Sequence, residues 1–307
     1  MELAMIGLGR MGANMAERLL KGGHRVIAFD TNPDAVALMA GKGAVPATSL
    51  AQAAQAQSKP RVFWIMVPAG KPVDDVLTSL YAVAEMGDLL VDGGNSQYKD
   101  TLRRAADAGT RKLRYMDVGT SGGVWGLAEG YSMMVGGDKE AVEILRPALE
   151  TLAPARDRGW GHVGPVGAGH FVKMIHNGIE YGMMQSYAEG FSILQHKTDF
   201  ELDLHQVAEI WRTGSVVRSW LLDLMSEALS ENPDLSGVAP FVADSGEGRW
   251  TLSEAMDLNV PAPALTAALL ERIRSREVDS FADRLLSVTR NKFGGHAVKK
   301  PAVKGKD

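Results

Sequence analysis

Leu3-Ala4-Met5-Ile6-Gly7-Leu8-Gly9-Arg10-Met11-Gly12 decides the fold. Residues 3–6 are an unbroken apolar run, as expected of a strand buried on both faces, and they lead straight into a G-x-G-x-x-G loop. Residues 13–21 then carry helical periodicity, Gly22-Gly23 stops them, and 25–29 form a second expected strand ending at Asp30. A glycine-rich turn alone says little. Placed between strand and helix, with an acid eighteen residues past its last glycine, it is the dinucleotide-binding fingerprint. The glycines allow a tight turn and let a pyrophosphate approach the backbone amides at the helix N-terminus, whose dipole favours negative charge. Gly7, Leu8, Gly9, Arg10, Met11 and Gly12 are therefore candidate cofactor contacts. Asp30 is placed to accept from the ribose hydroxyls and would repel a 2′-phosphate, so NAD is preferred over NADP, with Arg10 the one loop residue able to soften that preference. Helix capping is the competing role for Asp30, although Thr31 or Asn32 in Asp-Thr-Asn-Pro would cap equally well.

Outward from this unit the alternation continues. Strands are expected at 61–67, 89–91, 113–118 and 131–135, with helices after Lys71, at 98–108 and from 138 to 152. Such alternation predicts an α/β Rossmann-type doubly wound sheet followed by an all-α domain, because past Gly164-Pro165 only helical segments follow, at 202–212, 216–230, 262–274 and 281–290. The expected division is 1–163 as the NAD-binding domain and 164–307 as the helical one. Ligands sit at the carboxyl ends of parallel strands, which adds Val67, Pro68 and Asn95 to the cofactor contacts and singles out Ser121-Gly122-Gly123. Turn chemistry alone explains Asn95 and 121–123 about as well. The run 244–251, Asp-Ser-Gly-Glu-Gly-Arg-Trp-Thr, is expected to be a functional loop between helices, and 299–307 a solvated tail.

Composition sets outer bounds. The 307 residues, 45% hydrophobic and 23% charged, are ordinary for a globular protein with room for two cores. A net charge of -4 argues against a general nucleic-acid binder, and an acidic substrate would need a local cluster of cations. The absence of cysteine removes disulfides, thiolate metal sites and cysteine nucleophiles. No apolar run reaches the ~18 residues of a membrane span and no signal peptide is visible, so a cytoplasmic protein away from membranes is expected.

Residues 170–195, HFVKMIHNGIEYGMMQSYAEGFSILQ, are the second informative stretch. Lys173, His176, Asn177, Glu180 and Tyr181 recur at i, i+3, i+4, i+7 and i+8, and at ~100° per residue they share one side of a helix. Val172, Ile175, Ile179, Met183 and Met184 take up much of the remaining surface, the pattern of a helix lodged inside a protein. A solvated charged face has the same spacing. The mixture of amine, imidazole, amide, acid and phenol favours a site.

These motifs together resemble the decarboxylating 6-phosphogluconate dehydrogenases, in their shorter branch, within the β-hydroxyacid dehydrogenase superfamily. The likeness runs through GLGRMG, DGGNSQY, TSGG, KMIHNGIEYG, GRWT and RNKFGGH. The helix run discriminates most, since relatives acting on 3-hydroxyisobutyrate keep the lysine but lack His-Asn-Gly-Ile-Glu-Tyr. The resemblance implies metal-independent oxidation of 6-phosphogluconate with NAD, loss of CO₂ and formation of ribulose 5-phosphate, a step of the pentose phosphate pathway and of gluconate utilisation. Lys173 matches the family's general base, which afterwards acts as acid toward the enolate oxygen, and Glu180 matches the acid that protonates C1 of the enediol. Asn95, Ser121, Gly122, Gly123, His176, Asn177 and Tyr181 fall on substrate-contacting motifs, and Arg272 on a phosphate-binding arginine. Arg290 and His296 match a tail pair that in the longer relatives reaches into the neighbouring subunit's site. A homodimer or tetramer is implied, with one chain's tail completing another's pocket and 164–307 serving substrate binding and dimerisation.

The chain also departs from the longer relatives. Their KGTGKW, whose lysine and threonine help hold the phosphate, is replaced here by Ser245-Gly246-Glu247-Gly248-Arg249-Trp250, and their duplicated helical half is absent. Two other functions compete: a β-hydroxyacid dehydrogenase that does not decarboxylate, acting on 3-hydroxyisobutyrate or a related acid, and a non-catalytic NAD-sensing module. The latter expects a damaged polar stripe, yet Lys173 and Glu180 are both present.

Overall fold

β1 (Glu2–Ile6) shows how the apolar run becomes architecture: Leu3, Ala4, Met5 and Ile6 are each no more than 1% exposed. Successive side chains leave a strand on opposite faces, so Leu3 and Met5 enter one hydrophobic core while Ala4 and Ile6 enter another. The structure, a computed structural model, describes residues 1–299 except for the side chain of residue 293; of the expected tail, 300–307 lie outside the described residues.

The other strands are β2 (Arg25–Phe29), β3 (Val45–Pro46), β4 (Val62–Ile65), β5 (Leu89–Asp92), β6 (Arg114–Ser121), β7 (Ser132–Gly136) and β8 (Trp160–Gly164). They make one sheet in the order β3-β2-β1-β4-β5-β6-β7-β8. Neighbours are parallel except for the antiparallel pair β6 and β7. The sheet is doubly wound, with helices on both faces. α1 (Arg10–Lys21), α2 (Pro33–Gly41) and α7 (Lys139–Leu152) supply Met15, Leu19, Met39 and Leu145 to the core containing Leu3. α3 (Leu50–Gln55), α4 (Lys71–Leu80) and α5 (Tyr98–Thr110) supply Ala53, Val73, Leu77 and Ala108 to the core containing Ile6. α6 (Gly126–Glu129) is a single turn. Strand order reverses between β1 and β4, and a crevice for a ligand opens at the carboxyl ends of strands on either side of such a reversal.

Two strands went unforeseen. β3 is two residues long and ends in Pro46, too short to show a period, and it completes one edge of the sheet. β8, Trp-Gly-His-Val-Gly, has no apolar alternation and takes its form from pairing with β7 at the other edge.

The remaining helices are α8 (Ala168–His196), α9 (Leu204–Arg212), α10 (Trp220–Glu231), α11 (Glu247–Asp257), α12 (Pro263–Arg274) and α13 (Phe281–Gly294). The expected loop at 244–251 is helical from Glu247 onward, with Gly246 at its N-cap. The chain forms two compact units, Met1–Glu180 with Gly246–Pro261, and Tyr181–Ser245 with Ala262–Asp307. The first unit thus runs past 163, for a physical reason. The first turns of α8 lie directly on the sheet, so closely that a Cβ on Gly119 of β6 would stand 2.4 Å from Cβ of Lys173. Asp117 of β6 holds the helix start by accepting from Gly167 N at 2.6 Å and His170 N at 2.7 Å. In the second unit α9 and α10 bury Ala208, Leu222 and Leu229 with Tyr187, Phe191, Leu204 and Trp211 packed against them. That unit leaves many large apolar side chains in solvent, among them Ile193, Val216, Phe281 and Leu286.

Candidate active site

The glycine loop has the shape a pyrophosphate needs. Gly7 turns at φ +94°, and a Cβ on Gly12 would fall 2.0 Å from Gly7 O, so the loop and the start of α1 touch backbone to backbone. Gly9, by contrast, faces open space: nothing lies within 4 Å of where its Cβ would be. It is the N-cap of α1 and offers no side chain to the first-turn amides, which leaves them for an anion. Leu8 is buried, Met11 half-buried, and Arg10 exposed at the helix start. Asp30 Oδ2 accepts from Leu8 N at 2.6 Å, and Oδ1 accepts from Asn32 N at 2.8 Å. Asn32, not Asp30, caps α2 by accepting from Asp34 N. The carboxylate therefore braces the loop from the end of β2 and retains lone pairs for ribose hydroxyls. A dinucleotide fits these residues. Val67 and Pro68 follow β4 at the same end of the sheet, where Met66 N donates to Ile6 O at 2.7 Å.

The β5 and β6 ends lead from there to α8. Asn95, at φ +52°, donates to Thr120 O at 3.0 Å and accepts from Thr120 N at 2.9 Å, so much of its amide is committed to the end of β6. Ser121 and Gly122 follow, half-buried, with Gly123 exposed. One residue before Thr120, Gly119 touches Lys173. Lys173 is only 5% exposed, and its Nζ donates to Asn177 Oδ1 at 2.7 Å and lies 3.2 Å from His176 Nδ1. Glu180 Oε2 is 3.9 Å from the same imidazole nitrogen. Burial pushes the Lys173 ammonium below its ordinary range, because a charge out of water is disfavoured; the carboxylates of Glu180 and Glu247 oppose that shift. Within the polar stripe Lys173 and Tyr181 are buried, while His176, Asn177 and Glu180 are half-buried. Val172, Ile179 and Met183, expected to be the packed side, are exposed.

Tyr181 and Arg272 belong to the second unit. The Arg272 guanidinium carbon sits 3.6 Å from the Tyr181 ring centroid, and its Nη1 donates to Ala243 O at 2.8 Å. Tyr181 Oη accepts from Ser245 N at 3.2 Å and lies 3.4 Å from Ser245 Oγ. Arg272 thus stacks on the ring whose hydroxyl meets Ser245, and a guanidinium has N–H groups to spare for an anion. Arg290 is exposed on α13, and His296 is exposed beyond its end, with its carbonyl bound by Asn291 Nδ2 at 2.9 Å.

Three contributors escaped sequence reasoning. Asp117 anchors α8, Glu247 lies beside Lys173, and Arg104 ties down two loops by donating to Gly70 O at 2.9 Å and to Ser96 Oγ at 3.2 Å. Asp117, a carboxylate between Met116 and Val118 within a buried strand, was a usable signal. Arg104 looked like any charge on an amphipathic helix. Among the described residues no group of three or more His, Asp or Glu could hold a metal ion, and no helix is long and apolar enough to cross a membrane.

Comparison with known proteins agrees with this geometry. Residues 2–163 match the family model described as the NAD binding domain of 6-phosphogluconate dehydrogenase, and 169–301 match the one for its C-terminal domain. An NAD(+)-dependent, decarboxylating 6-phosphogluconate dehydrogenase of Haloferax volcanii is 44% identical over 97% of this chain and 98% of its own. A 6-phosphogluconate dehydrogenase of Plasmodium falciparum, solved with NADP+ and with 6-phosphogluconate, superposes with a TM-score of 0.83 at 26% identity, covering 99% of this chain and 67% of that one. A 3-hydroxyisobutyrate dehydrogenase of Mycobacterium tuberculosis superposes less well, with a TM-score of 0.71 at 25% identity over 87% of this chain and 90% of that one. With both halves matched, the polar run on α8 intact and a full-length relative at this identity, the chain belongs to the 6-phosphogluconate dehydrogenase family.

Proposed function

We propose that the chain oxidises and decarboxylates 6-phosphogluconate to ribulose 5-phosphate and CO₂, with NAD as the hydride acceptor. The observation that carries this reading is Lys173: a buried amine, depressed in basicity, with an amide, an imidazole and a carboxylate on its own helix face. Neutral Lys173 takes the proton of the substrate's C3 hydroxyl. When bound, the nicotinamide accepts the hydride from C3. The resulting β-keto acid loses CO₂ once a donor steadies the developing enolate oxygen, and the Lys173 ammonium, now carrying the proton, is that donor. Glu180 then protonates C1 of the enediol. His176 and Asn177 orient the amine, while Asn95 and Ser121-Gly122-Gly123 receive the carboxyl end and the hydroxyls of the substrate.

The phosphate is assigned to Arg272 with Tyr181 and Ser245, which replaces the lysine-threonine arrangement of the longer relatives. The NAD preference rests on Asp30 and on the Haloferax volcanii relative, named as NAD(+)-dependent. Residues 1–163 act as the NAD-binding domain and 164–307 as the substrate and dimerisation domain. The apolar side chains left in solvent by the second unit are suited to a second copy of the chain, with Arg290 and His296 completing a neighbour's site. A cytoplasmic location follows from the same metabolic role.

Purified protein supplied with 6-phosphogluconate and NAD or NADP in turn tests the reading. Reduced nicotinamide and trapped CO₂ should appear in equal amounts, faster with NAD. Reduced nicotinamide without CO₂ would favour the non-decarboxylating dehydrogenase, whose fold this chain also shares.

A further inference from the structure

Glu247 opens α11 and has no part in the steps above. Its side chain is 9% exposed, and its Oε2 has no hydrogen-bond partner. The next turn of the helix determines where it stands. Thr251 Oγ1 lies 2.9 Å from Met174 O and 2.9 Å from Glu247 O, and a Cβ on Gly178 would meet Thr251 Cγ2 at 2.7 Å. α11 therefore rests on turn 174–178 of α8, with its first residue beside Lys173, close enough for the carboxylate to attract the amine's charge. Lys173 Nζ stands at Asn177 Oδ1, 2.7 Å away, and near His176 Nδ1, 3.2 Å away, and neither it nor any other donor among the described residues reaches Oε2. A buried acceptor without a donor is unfavourable in the free protein, and a ligand that brings the donor removes that penalty on binding. A phosphate cannot be that ligand group, because a second anion would be repelled; a hydroxyl can.

We propose that Glu247 accepts a hydrogen bond from a hydroxyl of the polyhydroxy acid bound at Lys173, other than the hydroxyl that Lys173 deprotonates, and so selects polyol chains over short hydroxy acids. The inference rests on the assignment of Lys173 as the reacting amine. It makes the carboxylate gained in Ser-Gly-Glu-Gly-Arg-Trp a specificity residue for the sugar chain.

The test compares Glu247→Gln with the unmodified protein on 6-phosphogluconate and on its 2-, 4- and 5-deoxy analogues at saturating NAD. The amide is isosteric, and intact NAD binding and a melting temperature no lower than that of the unmodified protein verify its fold; Glu247→Asp, which withdraws the carboxylate by one methylene, serves as a second variant. Both variants should lose about 10- to 100-fold in kcat/KM on 6-phosphogluconate. On the one analogue lacking the partnered hydroxyl, variant and unmodified protein should be equal. A loss below about threefold on the parent substrate, or the same loss on every analogue, overturns the proposal. Should Lys173→Met retain turnover, the site assignment itself fails; an inactive Lys173→Met beside an unimpaired Glu247→Gln sinks the Glu247 contact alone.

Discussion

Two polar clusters in the first unit differ in one respect, and the difference separates scaffolding from chemistry. Around Asp92 at the end of β5, bonding is dense: its carboxylate accepts from Gly94 N at 3.1 Å, Ser96 Oγ at 2.8 Å, Tyr115 Oη at 3.2 Å and Arg104 Nη1 at 3.5 Å. Arg104 adds a bond from Nε to Asp74 Oδ1 at 2.8 Å, and both Asp92 and Arg104 are at most 1% exposed. On α8 and α11 the bonding is sparser and leaves one buried acceptor unmet. Glu247 Oε2 has no partner, Glu180 stands 3.9 Å from an imidazole, and Lys173 is buried with its amine depressed. A saturated cluster has one favoured arrangement and holds the loops at Gly70 and 93–96 in place. An unsaturated one keeps donors and acceptors for something that is not protein.

The contrast can be broken by experiment. Lys173→Met should lower turnover by about 10⁴-fold, since one group serves as both base and acid, with NAD affinity unchanged in a fluorescence titration. Weakened NAD binding would mean that Lys173 belongs to the scaffold. Arg104→Met should do the reverse, costing about 3–5 kcal/mol of stability in a denaturant titration by leaving Asp92 buried with one partner fewer, while kcat at saturating cofactor stays within a few-fold in the folded fraction. Glu180→Gln should cost about 10²-fold in turnover, the share of a single proton transfer. Asp30→Ala should narrow the NAD over NADP preference by about tenfold, the worth of one charge-assisted bond; an unchanged ratio would return Asp30 to bracing Leu8 alone.

The smallest effect concerns pH and has a definite sign. The unfolded lysine keeps its proton up to an ordinary value near 10.5, whereas the folded one releases it lower. Between those two points the unfolded chain binds more protons, so Lys173 makes stability rise with pH across that window. Below it the folded chain carries the full cost of a buried ammonium. Lys173→Met should lack this rise and be the more stable protein at neutral pH, as followed by melting temperature against pH; a parallel profile would show that the amine is not desolvated.

Much of the saturated cluster was invisible in the chain, because Asp92, Arg104 and Tyr115 lie on three elements and nothing local ties them. The reactive stripe was visible because helix geometry alone aligns Lys173, Asn177 and Glu180. Its orientation was not: Ile179 and Met183 looked like the packed side and are exposed, while the lysine is inside. Asn95 shows the same limit, since its motif marked a contact but not that Thr120 holds its amide.

What the amino-acid order determined unaided is the strand, glycine loop, helix and acid of residues 3–30, and the alignment of the α8 side chains. Backbone freedom at glycine and the 3.6-residue period act within a few residues and need no partner. Tertiary structure alone decided which face of α8 turns inward, which carboxylate stands beside the lysine, and that β3 and β8 are strands. Burial and hydrogen-bond saturation are properties of what arrives from elsewhere in the chain, and Gly119, Asp117 and α11 are what arrive.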